Sequence, residues 1–207
     1  MTNLQKRILT SLIILPLSIF FVIKGGYFLV FFLFLILLTA MYELFSVFKK
    51  KKSIIFLSLI LILSLLSIYY LREQSEYLLY FAIAVTISSD IGGYIFGNIF
   101  KWKKLTKISP KKTYSGVFGS YLFSIICLFF WVEFISSGLQ INLKTFLVTV
   151  IFSTVSQIGD LIISYFKRSE KIKDTGKVLP GHGGIFDRID GLMFVVIIAT
   201  IYFQLQI

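Results

Sequence analysis

Four residues near the end of one apolar stretch, Asp160, Ser164, Lys167 and Arg168, stand at i, i+4, i+7 and i+8 and so share one face of a helix. The deep end of that stripe, a carboxylate and a hydroxyl, suits an oxygen-ligated divalent cation, and the shallow end, two cations, suits phosphate oxygens. The competing interpretation is a snorkelling basic pair below an unrelated aspartate. A second cluster follows in LPGHGGIFDRIDG, Leu179 to Gly191. Pro180, Gly181, Gly183 and Gly184 mark irregular backbone whose successive amides can form an anion-binding nest. Asp187 and Asp190, at i and i+3, open the next helix on one side. The helix dipole favours a carboxylate there without any ligand, which accounts for one aspartate more comfortably than for two beside Arg188. His182 is the only histidine and has neither a second histidine nor a usable cysteine for a zinc site. Phosphate hydrogen bonding or loop ordering is expected of it instead.

Asp90 begins DIGGYIFG and lies about 15 Å inside its apolar stretch, and Asp160 about 10 Å inside its own, at about 1.5 Å of rise per residue. An ionisable side chain at such depth is a functional candidate by default. Neither has a basic residue one helical turn away within the stretch, so compensation must come from another helix, a cation or protonation. Gly92, Gly93 and Gly97 remove bulk, and the spacing of Gly93 and Gly97 allows a second helix backbone to approach. The alternative for Asp90 is therefore a packing notch beside a protonated aspartate. Glu43 is expected to snorkel toward Lys49 to Lys52, a run read as an orientation signal with attraction to anionic lipids as a secondary effect.

The elements that must position these residues follow from composition. The chain has 207 residues, 57% apolar and 15% charged, with a mean hydropathy of +0.89, and is too apolar and too poor in charge for a soluble domain. Seven apolar runs approach the roughly 20 residues of a bilayer span: Ile8 to Val22, Tyr27 to Phe48, Ile54 to Leu71, Tyr77 to Phe100, Val117 to Ile135, Thr145 to Phe166 and Ile189 to Ile207. The expected class is an all-α polytopic membrane helical bundle of about seven helices. Its division would place about three helices in residues 1–76 and four, with cytoplasmic loops 101–115 and 167–188, in a catalytic membrane domain over 77–207. The first run follows Lys6 and Arg7 like a signal peptide but has no small-residue cleavage site, and is read as a retained helix. A Rossmann domain, a zinc finger and a disulfide scaffold are excluded, and the single Cys127 carries no redox information.

Net charge is +11, and its placement matters more than its size. With alternating loops, all 21 lysines and arginines fall on one side except Lys24, Arg72 and Lys144. The positive-inside rule makes that side cytoplasmic, with the N-terminus inside and the C-terminus outside. Basic residues that flank spans are not a nucleic-acid surface.

Ser164 to Asp190, SYFKRSEKIKDTGKVLPGHGGIFDRID, resembles the signature of the phosphatidate cytidylyltransferases, the CDP-diacylglycerol synthases. SDIGGYIFG, ISPKKTYSG and QIGDL resemble further segments of that family, so the resemblance covers roughly the C-terminal 120 residues. It departs from the family's pattern at Ser115, at Ser120 and near Lys101, positions that bear on loop packing. The resemblance implies transfer of a cytidylyl group from CTP to phosphatidic acid at the cytoplasmic face of a bacterial inner membrane. It implies a magnesium ion held by Asp160 and Asp187, with Asp190 and Ser164 as additional candidate ligands and potassium as a companion ion. Catalytic charge neutralisation then falls to Lys167, Arg168 and Arg188, and substrate binding to Ser109, Lys111, Lys112, Thr113, Lys173, His182, Gly183 and Gly184. Asp90 would complete the polar cavity or meet the lipid headgroup through the metal. Close glycine packing is compatible with a homodimer among membrane lipids. The rival readings are a CTP-dependent prenol or dolichol kinase, disfavoured by the complete HGG-x-x-DR-x-D segment, and an ion-coupled transporter, for which no inverted repeat is visible.

Overall fold

The computed structural model describes residues 3–135, 140–172, 174–176, 178 and 183–205. Among them are seven helices: α1 (Asn3–Lys24), α2 (Gly26–Val47), α3 (Lys51–Gln74), α4 (Glu76–Phe100), α5 (Tyr114–Phe134), α6 (Leu143–Ser169) and α7 (Phe186–Gln204). Each coincides within a few residues with one apolar run of the sequence. Helix is the outcome because hydrocarbon offers no partner to backbone amides and carbonyls, which must bond within the segment. Helices α2 to α6 are long and apolar enough to cross a membrane; the apolar part of α1, Leu9–Lys24, is shorter. Helix α7 carries Asp187, Arg188 and Asp190 in its first turns, which leaves a shorter uncharged stretch. The protein is an all-α membrane protein, and no strand occurs among its described residues.

The chain divides into two compact units: the described residues of Met1–Gln74 with Phe166–Ile189, and of Ser75–Tyr165 with Asp190–Ile207. In the first unit, Gly25 and Gly26 turn α1 into α2 with φ of 66° and 50°. Arg72, in the last turn of α3, donates to the carbonyls of Val22 at 2.8 Å and Ile23 at 2.7 Å, groups that the end of α1 leaves without helical partners. At the opposite end of α3, Glu170 accepts from the amides of Lys49 at 3.3 Å and Lys50 at 3.0 Å and from the Ser53 hydroxyl at 3.2 Å. Against a desolvation cost, those backbone amides hold the Glu170 carboxyl below its ordinary range. The clamp's contribution is therefore present above the usual carboxylate range and fades as pH falls through the lowered value.

In the second unit the glycines of α4 meet glycines of α5. A Cβ on Gly92 would strike the carbonyl of Gly119, and one on Gly93 would stand 2.7 Å from Ser120 Oγ. The second backbone expected beside Gly93 and Gly97 is thus supplied within the chain, by Gly116 and Gly119 of α5. The glycine face that suggested a homodimer is occupied by α5. Hydroxyls complete the seam: Ser120 Oγ donates to Ser89 O at 2.8 Å, and Ser89 and Ser153 Oγ lie 2.9 Å apart. Ser115 and Ser120, where the sequence departs from the family pattern, are both buried in this contact region. Gly119→Ala places a Cβ 2.5 Å from Phe96 Cβ, so it is expected to lower stability by about 1–3 kcal/mol, the usual penalty of overpacking. Thermal or denaturant unfolding in detergent checks this; a wild-type midpoint would contradict so close a contact.

Candidate active site

Among the described residues, each unit holds a carboxylate–lysine pair built from residues singled out by sequence. In the second unit, α4 ends at Lys101 in a left-handed conformation and the chain doubles back before α5. Leu105 N bonds Lys112 O at 2.8 Å, Lys112 N bonds Ser109 O at 3.0 Å, and Tyr114 N bonds Lys103 O at 3.1 Å, with an isolated antiparallel bridge between Lys104 and Thr113. Thr113 then caps α5, accepting from Gly116 N at 3.1 Å. Ser109 and Thr113, taken from the sequence as substrate contacts, thus build the turn and the cap. Lys111 is exposed.

That turn delivers Lys112 to α6. Its ammonium lies 2.6 Å from Asp160 Oδ2 and donates to Gln157 O at 3.1 Å, while Ser164 Oγ reaches Asp160 Oδ1 at 3.4 Å. Asp90 is near enough to interact electrostatically with both Asp160 and Lys112. Of the three compensations open to a deep carboxylate, the structure uses a cation, contributed by a loop that sequence spacing could not connect to α6. The pair is open, with side-chain exposures of 22% for Lys112 and 33% for Asp160.

In the first unit, Lys167 Nζ meets Asp187 Oδ1 at 2.8 Å, and this pair is closed, with exposures of 10% and 9%. Asp187 Oδ2 accepts from Thr175 N at 2.8 Å and Gly184 N at 3.2 Å. Gly183 takes φ of 85°, and a Cβ there would crowd Asp187 Oδ2 at 3.2 Å. The amide of Gly184 is therefore given to a carboxylate of the protein. Arg168 donates to Ile172 O at 2.8 Å, so of the two cations of the α6 stripe one meets the start of α7 and the other the segment that follows α6. Asp190 Oδ1 accepts from Gly191 N at 2.9 Å, and Arg188 N bonds Ile185 O at 3.0 Å in the first turn of α7. Lys173 and His182 lie outside the described residues.

Glu43 corrects the sequence reading. It does not snorkel toward Lys49 to Lys52 but is 1% exposed, and both its oxygens accept the amide of Ile185, at 2.9 and 2.8 Å. The signal was present, since a carboxylate within an apolar run is a candidate by default, but the nearby lysines offered a simpler partner. A cavity of about 700 Å³ adjoins it, lined in part by Tyr42, Glu43 and Ser46 of α2 and by Ile172, Asp174 and Gly176.

Among the described residues no group of three or more His, Cys, Asp or Glu side chains is assembled for a metal. Magnesium does not require one, since it commonly keeps its waters and takes one or two carboxylates together with substrate phosphates. Asp160 with Ser164, and separately Asp187, present hard oxygen donors of that type. The residues fit the ion in kind, and each carboxylate now carries a lysine ammonium where a cation would be held.

Among known proteins, the profile of the Cytidylyltransferase family matches residues 53–206. The chain is 44% identical over 131 residues to a phosphatidate cytidylyltransferase of Staphylococcus epidermidis, covering 62% of this chain and 50% of that one. It is 42% identical over 129 residues to a protein of the same name from Staphylococcus haemolyticus, and 37% identical over 129 residues to one from Staphylococcus aureus, with 62% and 49% covered in both cases. The chain spans about half the length of the curated relatives it matches. With a family match over most of its residues, including both carboxylate–lysine pairs, the chain belongs to the cytidylyltransferase family.

Proposed function

We propose that this protein transfers the cytidylyl group of CTP to phosphatidic acid, releasing pyrophosphate and forming CDP-diacylglycerol in a bacterial inner membrane. The observation that carries this reading is the family match over residues 53–206, which include Asp160 and Asp187, in a chain whose relatives are named phosphatidate cytidylyltransferase. A phosphate oxygen of the lipid attacks the α-phosphorus of CTP; the new P–O bond forms as the bond to the bridging oxygen of the β-phosphate breaks. The lipid phosphate is already ionised at neutral pH, so no side chain needs to remove a proton. The barrier is the approach of two polyanions, which calls for positioning and charge neutralisation.

Magnesium, with potassium as a companion ion, would supply Lewis-acid neutralisation of phosphate charge when bound at hard oxygen ligands such as Asp160 and Asp187. Lys112 and Lys167 hold positive charge against those carboxylates and can turn it toward phosphate oxygens when the carboxylates gain another cation. Lys111 and Arg168, with Lys173 and Arg188, add phosphate-binding charge on the face that the positive-inside rule makes cytoplasmic. CTP does not cross bilayers, so the reading also fixes the side from which substrate must be supplied.

Sealed inside-out membrane vesicles given phosphatidic acid and CTP labelled at the α-phosphate are expected to form a lipid-soluble labelled product, and right-side-out vesicles to form none until permeabilised. CTP labelled at the γ-phosphate should leave the lipid unlabelled. Label arriving from the γ-phosphate would replace the cytidylyltransferase reading with a kinase.

A further inference from the structure

Glu43 lies near the end of α2, before residue 53 where the family match begins. Besides holding Ile185 N with both oxygens, it accepts from Phe186 N through Oε2 at 3.3 Å. Helix α7 begins at Phe186, so these amides belong to the helix start, where backbone donors lack helical partners and a carboxylate is favoured by the dipole. The same side chain fills the space beside two glycines. A Cβ on Gly176 would come within 2.8 Å of Glu43 Oε1, and one on Gly184 within 2.6 Å of Oε2.

Asp187 grips the same two pieces of backbone from another direction, through Thr175 N and Gly184 N. Glu43 and Asp187 thus hold Thr175–Gly176 and Gly184–Phe186 between them. Three consecutive amides, those of Gly184, Ile185 and Phe186, are taken by the protein's own carboxylates. Those three amides are therefore not open to substrate phosphates, and the turn that carries them toward Asp187 is fixed to α2.

We propose that Glu43 is a positioning residue that fastens the Gly184–Phe186 turn to α2 and so holds Asp187 in the orientation needed for cytidylyl transfer, an inference that rests on the function proposed above. Glu43→Gln keeps the volume but removes the negative charge and replaces one of the two oxygens that accept the Ile185 amide by a donor that faces it. Hydrogen exchange of the full chain in detergent is expected to speed up at Gly184–Phe186 by at least about tenfold, the scale of one lost charge-assisted bond, with α3 and α5 unchanged. In proteoliposomes kcat is expected to fall about 10²-fold, as for a misplaced reacting group, with KM for CTP unchanged within about threefold.

Gly176→Ala is expected to lower kcat by pressing on Glu43, and Glu43→Asp combined with Gly176→Ala to recover part of the loss, because the shorter carboxylate yields the space. This pair carries the test if Glu43→Gln does not fold. Wild-type exchange at Gly184–Phe186 in Glu43→Gln, or faster exchange with wild-type kcat, overturns the proposal; so does a double variant no better than Gly176→Ala. A wild-type protein that transfers no cytidylyl group would sink the proposed function instead, while the exchange measurement would still decide whether Glu43 holds the turn.

Discussion

Asp187→Asn is expected to lower cytidylyl transfer by about 10³-fold, the upper end of what removal of a single preorganised hydrogen-bond donor costs, and to destabilise the protein as well. The carboxylate satisfies three donors at once: Lys167 Nζ, Thr175 N and Gly184 N. Asparagine can keep at most part of that set and leaves the Lys167 ammonium, 10% exposed, without an anion. Breaking a buried pair from one side costs about 3–5 kcal/mol, largely because the other charge stays behind. Adding Lys167→Met to Asp187→Asn removes that stranded charge. The double variant should regain much of the unfolding midpoint lost by the single one while transfer stays abolished. Parallel measurement of melting in detergent and of labelled lipid product separates the two roles; recovery of transfer in the double variant would show that Asp187 serves the fold alone.

The helices were legible because an apolar run in a bilayer must bond its backbone within itself; all seven runs are helices, and five of those, α2 to α6, are long and apolar enough to cross a membrane. The contacts that make the site were not, because they join residues remote in sequence. Asp160 could be recognised as an uncompensated carboxylate suited to a divalent cation, and the helical stripe offered Lys167 and Arg168 to phosphate oxygens. The structure gives Asp160 to Lys112 instead, and Lys167 to Asp187. Helical periodicity orders residues on a face but does not say which loop folds back upon it. Gly93 and Gly97 announced a close helix contact without naming its partner, though Gly116 and Gly119 offer a matching pair of small residues on α5. Glu43 was misread for a related reason. Four lysines close in sequence outweighed amides distant in sequence, and helix α2 ends at Val47 before the lysines begin.

The open and closed lysine pairs imply different behaviour toward a cation. At Lys167–Asp187 both side chains are enclosed, and two backbone amides share the carboxylate. At Lys112–Asp160 both remain reachable from solvent, and among the described residues the remaining Asp160 oxygen meets the Ser164 hydroxyl, at 3.4 Å. A divalent ion bound at Asp160 would therefore compete directly with Lys112. Replacing it with glutamine removes the competing charge, so Mn²⁺ binding in the absence of nucleotide, read by electron paramagnetic resonance, is expected to tighten by several-fold. Transfer should nevertheless fall by about 10- to 100-fold, the range for loss of a group that supports a metal site, because the same ammonium is no longer available to phosphate oxygens. Asp160→Asn removes the ligand itself, and both Mn²⁺ binding and transfer should decline, the latter by about 10²- to 10³-fold. Opposite movements of ion affinity in the two variants, with turnover lost in both, are what an exchangeable lysine requires. Unchanged Mn²⁺ affinity and unchanged turnover in Lys112→Gln would reduce the ammonium to an anchor for the turn between α4 and α5.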